Sequence, residues 1–107
     1  MKSKTEFCII ITSVSKADEK RTIIESLFQK KLAACIQEIT IGSHYSWNNE
    51  LCHDSEWLLL IKTKWDRYDK IRSVINNIHS YEIPEIVAVN IEEGSSSYLN
   101  WIREVTK

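Results

Sequence analysis

The sequence predicts an α+β fold: a ferredoxin-like β-α-β-β-α-β sandwich with a short C-terminal helix. Three observations carry that prediction. Short apolar, β-branched runs alternate with stretches of helical periodicity. Turn residues separate the two middle strand-like runs, as in a hairpin. The 107 residues form a single domain (1–107), large enough to hold a core without a disulfide or metal staple.

The run FCIIITSV (Phe7–Val14) is the first strand. Ser15 followed by Asp18 reads as a capping box opening the first helix, in which Ile23, Ile24, Leu27, Phe28 and Leu32 recur at helical spacing. That helix ends near KKLAAC, where lysines suit the negative end of the dipole. The stretch CIQEITIGSHYSW (Cys35–Trp47) is extended, and Gly42 within it marks a bulge or a close backbone approach. NNEL supplies the turn, and SEWLLLIKTKW (Ser55–Trp65) returns as the third strand.

Asp66 with Asp69 then opens a second helix with Ile71, Val74, Ile75 and Ile78 along one apolar stripe. In IHSYEIPEIVAVNI (Ile78–Ile91), Pro84 fixes its own φ and biases Ile83 toward extended geometry. The segment is therefore a rigid bend into a fourth strand, Glu85–Ile91. EEGSSS is a turn or cap region, and SYLNWIREVTK forms the terminal helix, docking through Leu99, Trp101 and Ile102.

Two helices on one face of a sheet should leave strands that alternate apolar and polar. FCIII, WLLLI and EIVAV do not alternate, so adjacent side chains on opposite faces are both apolar. The face away from the helices would be a large exposed apolar patch, which soluble monomers avoid. A sister subunit in a closed cyclic oligomer covers it economically. The rival expectation is that the terminal helix folds back over that face.

Composition excludes several functions. A net charge of -1 gives no footprint for nucleic acid or an anionic membrane surface. No apolar run approaches the roughly 20 residues that span a bilayer. MKSKTEF leads straight into the first strand without a signal-like segment, which makes the cytoplasm the expected location. Cys8, Cys35 and Cys52 are an odd, widely spaced set, indicating reduced thiols rather than disulfides or a structural zinc site. The chain has no Gly-rich phosphate loop, HExxH, GxSxG or paired-carboxylate motif, so no enzyme is expected. Small acylphosphatases share the fold class, but TSVSKADEK lacks the arginine-lined loop they need.

KKLAACI (Lys30–Ile36), YSWNNEL (Tyr45–Leu51), DSEWLLLIKT (Asp54–Thr63) and Ile78–Ile102 follow in an order and spacing that resemble the CutA family of divalent-cation tolerance proteins. The resemblance covers nearly the whole chain. It implies a homotrimer with the PII-like architecture of certain signal transducers, and no established enzymatic activity. It also implies a role in tolerance of divalent metals, copper above all; animal relatives are linked to anchoring of acetylcholinesterase. The family's His-Pro-Tyr-Glu reads His79-Ser80-Tyr81-Glu82 here, and the Pro-Gly bend of the second strand is absent from EITIG. Of the copper-binding set that the resemblance implies, Ile78 and Thr12 replace a histidine and a cysteine, leaving His79.

Two site readings follow. His79 is either a ligand to copper or another divalent cation, or a hydrogen-bonded histidine at the end of the second helix. No other cofactor is expected. Tyr45, Trp47, Glu56, Lys62, Tyr81, Glu85, Tyr98 and Trp101 suit an inter-subunit cleft for a small ligand, and equally a subunit interface. Lys62 calls for a carboxylate partner if buried. The function expected is a non-catalytic trimer acting in metal response, against a PII-like small-ligand sensor or a structural interaction protein.

Overall fold

The computed structural model describes residues 4–107. In chain order the elements are β1 (Phe7–Val14), α1 (Ala17–Gln29), β2 (Cys35–Trp47), β3 (Glu50–Lys64), a 3₁₀ turn (Trp65–Arg67), α2 (Tyr68–Ile78), β4 (Val87–Asn90) and α3 (Ser96–Val105). The four strands form one antiparallel sheet in the order β2-β3-β1-β4. This is the predicted ferredoxin-like arrangement.

Alternation along β1 and β3 divides the sheet into two faces. Cys8, Ile10, Thr12 and Val14 lie opposite Thr63, Ile61, Leu59 and Trp57 and point toward the helices. There Ile10, Leu59 and Ile61 pack with Ile23 and Leu27 of α1 and Ile71 and Ile75 of α2, all with no exposed surface. Burying each such side chain contributes roughly 1.5–3 kcal/mol.

The other face carries Ile9 and Ile11 with Leu58 and Leu60, flanked by Val87 and Val89 on β4 and Ile39 on β2. Helix α3 covers only one end of it. Ile102, Ala34 and Phe7 form a small second cluster with Leu99 and Ile91. Arg103 pins the helix by forking onto Glu6 (2.8–3.3 Å), and Arg67 donates to the Thr106 carbonyl at 2.6 Å. Hydrogen bonding from Arg103 also holds the Glu6 carboxyl below the usual carboxylate range, against the opposing effect of desolvation. Beyond the helix, Val87, Val89 and Ile39 remain 48–51% exposed. The rival expectation is thus met at one end of the face and fails over the rest, because ten residues of helix span too little of it.

Element ends depart from the sequence reading where backbone geometry decided them. Strand β3 begins at Glu50 rather than Ser55, because Asn48 and Asn49 (φ 52° and 63°) make a tight two-residue turn. The ladder then runs unbroken from Trp47–Glu50 to Cys35–Lys62, so Gly42 makes no bulge. It does mark a close approach: a Cβ there would stand 3.2 Å from His53 Nε2. Strand β4 is shorter than Glu85–Ile91, since its ladder with β1 ends at the Ile11–Val87 pair.

Neither proposed helix cap forms. Helix α1 starts one residue later than a Ser15 cap requires, with Lys16 at its N-cap, and the Asp18 carboxylate accepts from the Glu19 amide instead. Helix α2 is preceded by the 3₁₀ turn, and its first residues have no side-chain cap; Asp66 and Asp69 lie beside Arg67 and Arg72. At the far end of α1 the lysines lie past the last turn. Leu32 N–H reaches Leu27 O and Lys31 N–H reaches Phe28 O, a Schellman closure with Lys31 at φ 56°.

Among the described residues, Thr12 Oγ1 is a buried side-chain polar atom without a hydrogen-bond partner. Thr12→Val replaces it with an isosteric methyl and should raise unfolding stability by about 1 kcal/mol in a urea titration. A loss of stability would mean that the hydroxyl has a partner.

Candidate functional site

The segment from His79 to Glu85 connects α2 to β4, and His79 anchors it. The histidine ends α2, its amide bonding to Ile75 O at 2.8 Å, and its side chain is fully buried. Nε2 donates to Ser13 O at 2.7 Å, while Nδ1 accepts from the Tyr81 amide at 3.1 Å. These bonds require the tautomer with hydrogen on Nε2. A metal ion at either nitrogen would have to displace one of them. Glu19 Oε1 lies 3.8 Å from Nδ1 and accepts the Ser80 amide at 2.9 Å. Burial pushes the Glu19 carboxyl up, but the Ser80 amide and hydroxyl and the Lys16 ammonium outweigh it and hold the pKa below its usual value.

Tyr81 turns from this anchor toward the sheet. Its ring lies 4.4 Å from that of His79, and its hydroxyl donates to Glu56 Oε2 at 2.8 Å. Glu56 is 5% exposed, so the phenol satisfies a carboxylate that has little contact with water. Burial, and then the adjoining Glu56 carboxylate, push the Tyr81 phenol pKa up, against a hydrogen bond from Ser15. On the neighbouring strand Tyr45 hydrogen-bonds Asp54, which raises its phenol to about 12. Both phenols therefore stay protonated at neutral pH and act as donors.

These groups open onto a cavity of about 580 Å³, where the sheet's uncovered face meets the Tyr81–Glu85 loop. Five of the eight predicted cleft residues line it: Tyr45, Trp47, Glu56, Tyr81 and Glu85. The other three lie apart, at the α3 end of the sheet. There Lys62 Nζ sits 3.4 Å from the Tyr98 hydroxyl and over its ring, and the Trp101 ring lies tilted against Tyr98 with centroids 5.5 Å apart. Lys62 thus takes a phenol and a π-face as partners instead of the expected carboxylate; it is only partly buried, so water supplies the rest of its solvation.

Sequence reasoning missed Ser13, Ser43, His44, Ile83 and Pro84 as cavity walls, although Pro84 had been read as the bend that creates the loop. Ile83 is 71% exposed, and a large aliphatic side chain in the middle of a loop was a usable signal. The cavity presents an aromatic and aliphatic lining with carboxylates and protonated phenols. Ser13, Ser43 and His44 complete the lining. Among the described residues, no group of three or more His, Cys, Asp or Glu is placed to hold a metal ion.

Over residues 8–105 the chain matches the family described as CutA1 divalent ion tolerance protein. The divalent-cation tolerance protein CutA of Thermus thermophilus is 37% identical over 99 residues, which is 92% of this chain and 96% of that protein. The chloroplastic protein CutA of Arabidopsis thaliana is 35% identical over 98% of this chain, which spans 59% of that longer relative. Among solved structures, the periplasmic divalent cation tolerance protein CutA from Archaeoglobus fulgidus aligns with a TM-score of 0.91 at 30% identity. The alignment covers 94% of this chain and 99% of that one.

Tyr81→Phe strips Glu56 of its phenol donor and should cost about 1–3 kcal/mol in denaturant unfolding. An unchanged midpoint would show that Glu56 does not depend on Tyr81.

Proposed function

Because the chain belongs to the CutA1 divalent ion tolerance family, we propose that it serves divalent-cation tolerance as a homotrimeric, non-catalytic binding module. The observation that carries this reading is the half-exposed aliphatic face of Ile39, Val87 and Val89, which lies on the same side of the sheet as the cavity residues Ser13 and Glu56. A neighbouring copy laid on that face removes apolar surface from water at about 25 cal/mol per Å². The two free sheet edges are different strands, β2 and β4. Joining one to the other is a head-to-tail contact, which makes a ring where the rotation between copies closes, and three copies follow the family resemblance.

In such a ring the cavity becomes a cleft between subunits. Lys62, Tyr98 and Trp101, remote from it within one chain, would border a neighbour's cleft. The ligand best suited is a small organic molecule rather than a bare ion, because the walls are mainly aromatic and aliphatic and the volume fits one. His79 enters as the anchor of the Tyr81 loop, its nitrogens spent on Ser13 and Tyr81, rather than as the copper ligand. The cytoplasmic location expected from the sequence belongs to the same reading; no described helix is long and apolar enough to cross a membrane.

Sedimentation at micromolar concentration should give a trimer, and Val89→Glu, which sets a charge into the apolar face, should shift it toward monomer. A folded, monomeric wild type would overturn the assembly. Native mass spectrometry of the trimer should retain a small organic molecule that is lost on Glu85→Gln or Trp47→Ala substitution; retention unaffected by either change would remove the cleft.

A further inference from the structure

His44 and His53 have a different environment from His79. They stand directly opposite each other in the β2–β3 ladder, on the outer arm of the hairpin. Their rings stack with centroids 4.4 Å apart and planes 23° from parallel, and both residues are exposed. No ring nitrogen of either is engaged in a hydrogen bond or ion pair among the described residues. Of the chain's three histidines, these two alone keep unspent lone pairs, and the fold sets them side by side.

We infer that His44 and His53 form a two-imidazole site for a divalent transition-metal ion, copper(II) or nickel(II) ahead of zinc(II), with water completing the coordination. Opposed residues of an antiparallel pair hold their Cβ atoms about 4.5–5.5 Å apart, so both rings reach one point above the strands. Metal–imidazole bonds of about 2.0–2.1 Å put two coordinated nitrogens roughly 3 Å from each other. Coordination therefore requires the stacked rings to turn about their side-chain torsions. Imidazole suits these ions, and at a site with no other protein ligand the intrinsic order places copper first.

Gly42 explains why the second ring can be where it is. It shares this face, and a side chain on it would begin 3.2 Å from His53 Nε2. The glycine therefore leaves free the nitrogen that a metal would use. His44 also touches the rim of the cleft, whereas His53 lies off it. His53 therefore offers a substitution outside the cavity lining.

The test is calorimetric titration of the full chain with copper(II) and nickel(II) in a non-chelating buffer. One ion per chain is expected, with affinity reduced at least tenfold by His53→Ala and by His44→Ala, and unchanged by His79→Ala. Gly42→Ala should weaken binding in the same direction by crowding Nε2. Electron paramagnetic resonance of the copper complex should show two coordinated imidazoles in wild type and one in His53→Ala, with circular dichroism reporting an unaltered fold. Equal affinity in wild type and His53→Ala, or a loss confined to His79→Ala, would overturn the site.

Discussion

A sheet with aliphatic side chains on both faces imposes the constraint from which the rest of this structure follows. On one face Ile10, Leu59 and Ile61 are sealed beneath α1 and α2. On the other, Ile9, Ile11, Leu58 and Leu60 have α3 at one end only. Alternation along a strand makes these two sets inseparable, because every second residue must emerge on the second face. The chain spends its helices on the first face and has little left for the second. Half-exposed valines on β4 are the residue of that arithmetic, and the proposed assembly is its simplest resolution.

The same face sets the position of the cavity. It forms where the sheet's uncovered side meets the loop between α2 and β4, and that loop is held by the hydrogen bonds of His79 and Tyr81 together with Ile86 packed against the core. His79 joins Ser13 on β1 to the Tyr81 amide, and Tyr81 in turn reaches Glu56 on β3. Each member spends its hydrogen-bonding capacity on the next. A network of this kind rigidifies when complete and becomes costly when broken. Tyr81 and the loop backbone are thereby presented in one orientation to whatever enters the cleft.

The three histidines illustrate how tertiary context assigns chemistry to one residue type. His79 is buried with both nitrogens used, which makes it a structural strut. His44 and His53 are exposed, adjacent and unspent, which makes them available. The family resemblance had put the emphasis the other way, favouring His79 because it matched a family motif, while the spacing of the histidines along the chain favoured none.

Element order, the two-helix layer, the hairpin and the greasy second face were all written in local patterns of the sequence, because periodicity of 2 or 3.6 residues is a short-range property. The ends of elements were less legible. The caps at Ser15 and Asp66 failed because where a helix begins depends on backbone geometry that the cap residues alone do not fix. Five cleft residues were gathered and three were not, since which face and which end of the sheet a residue occupies is a matter of strand order. The sequence by itself determined that a double-sided apolar sheet would form. Only the tertiary structure decided what His79 and Glu56 do, because their partners lie 66 and 25 residues away along the chain and meet them only once the sheet is assembled.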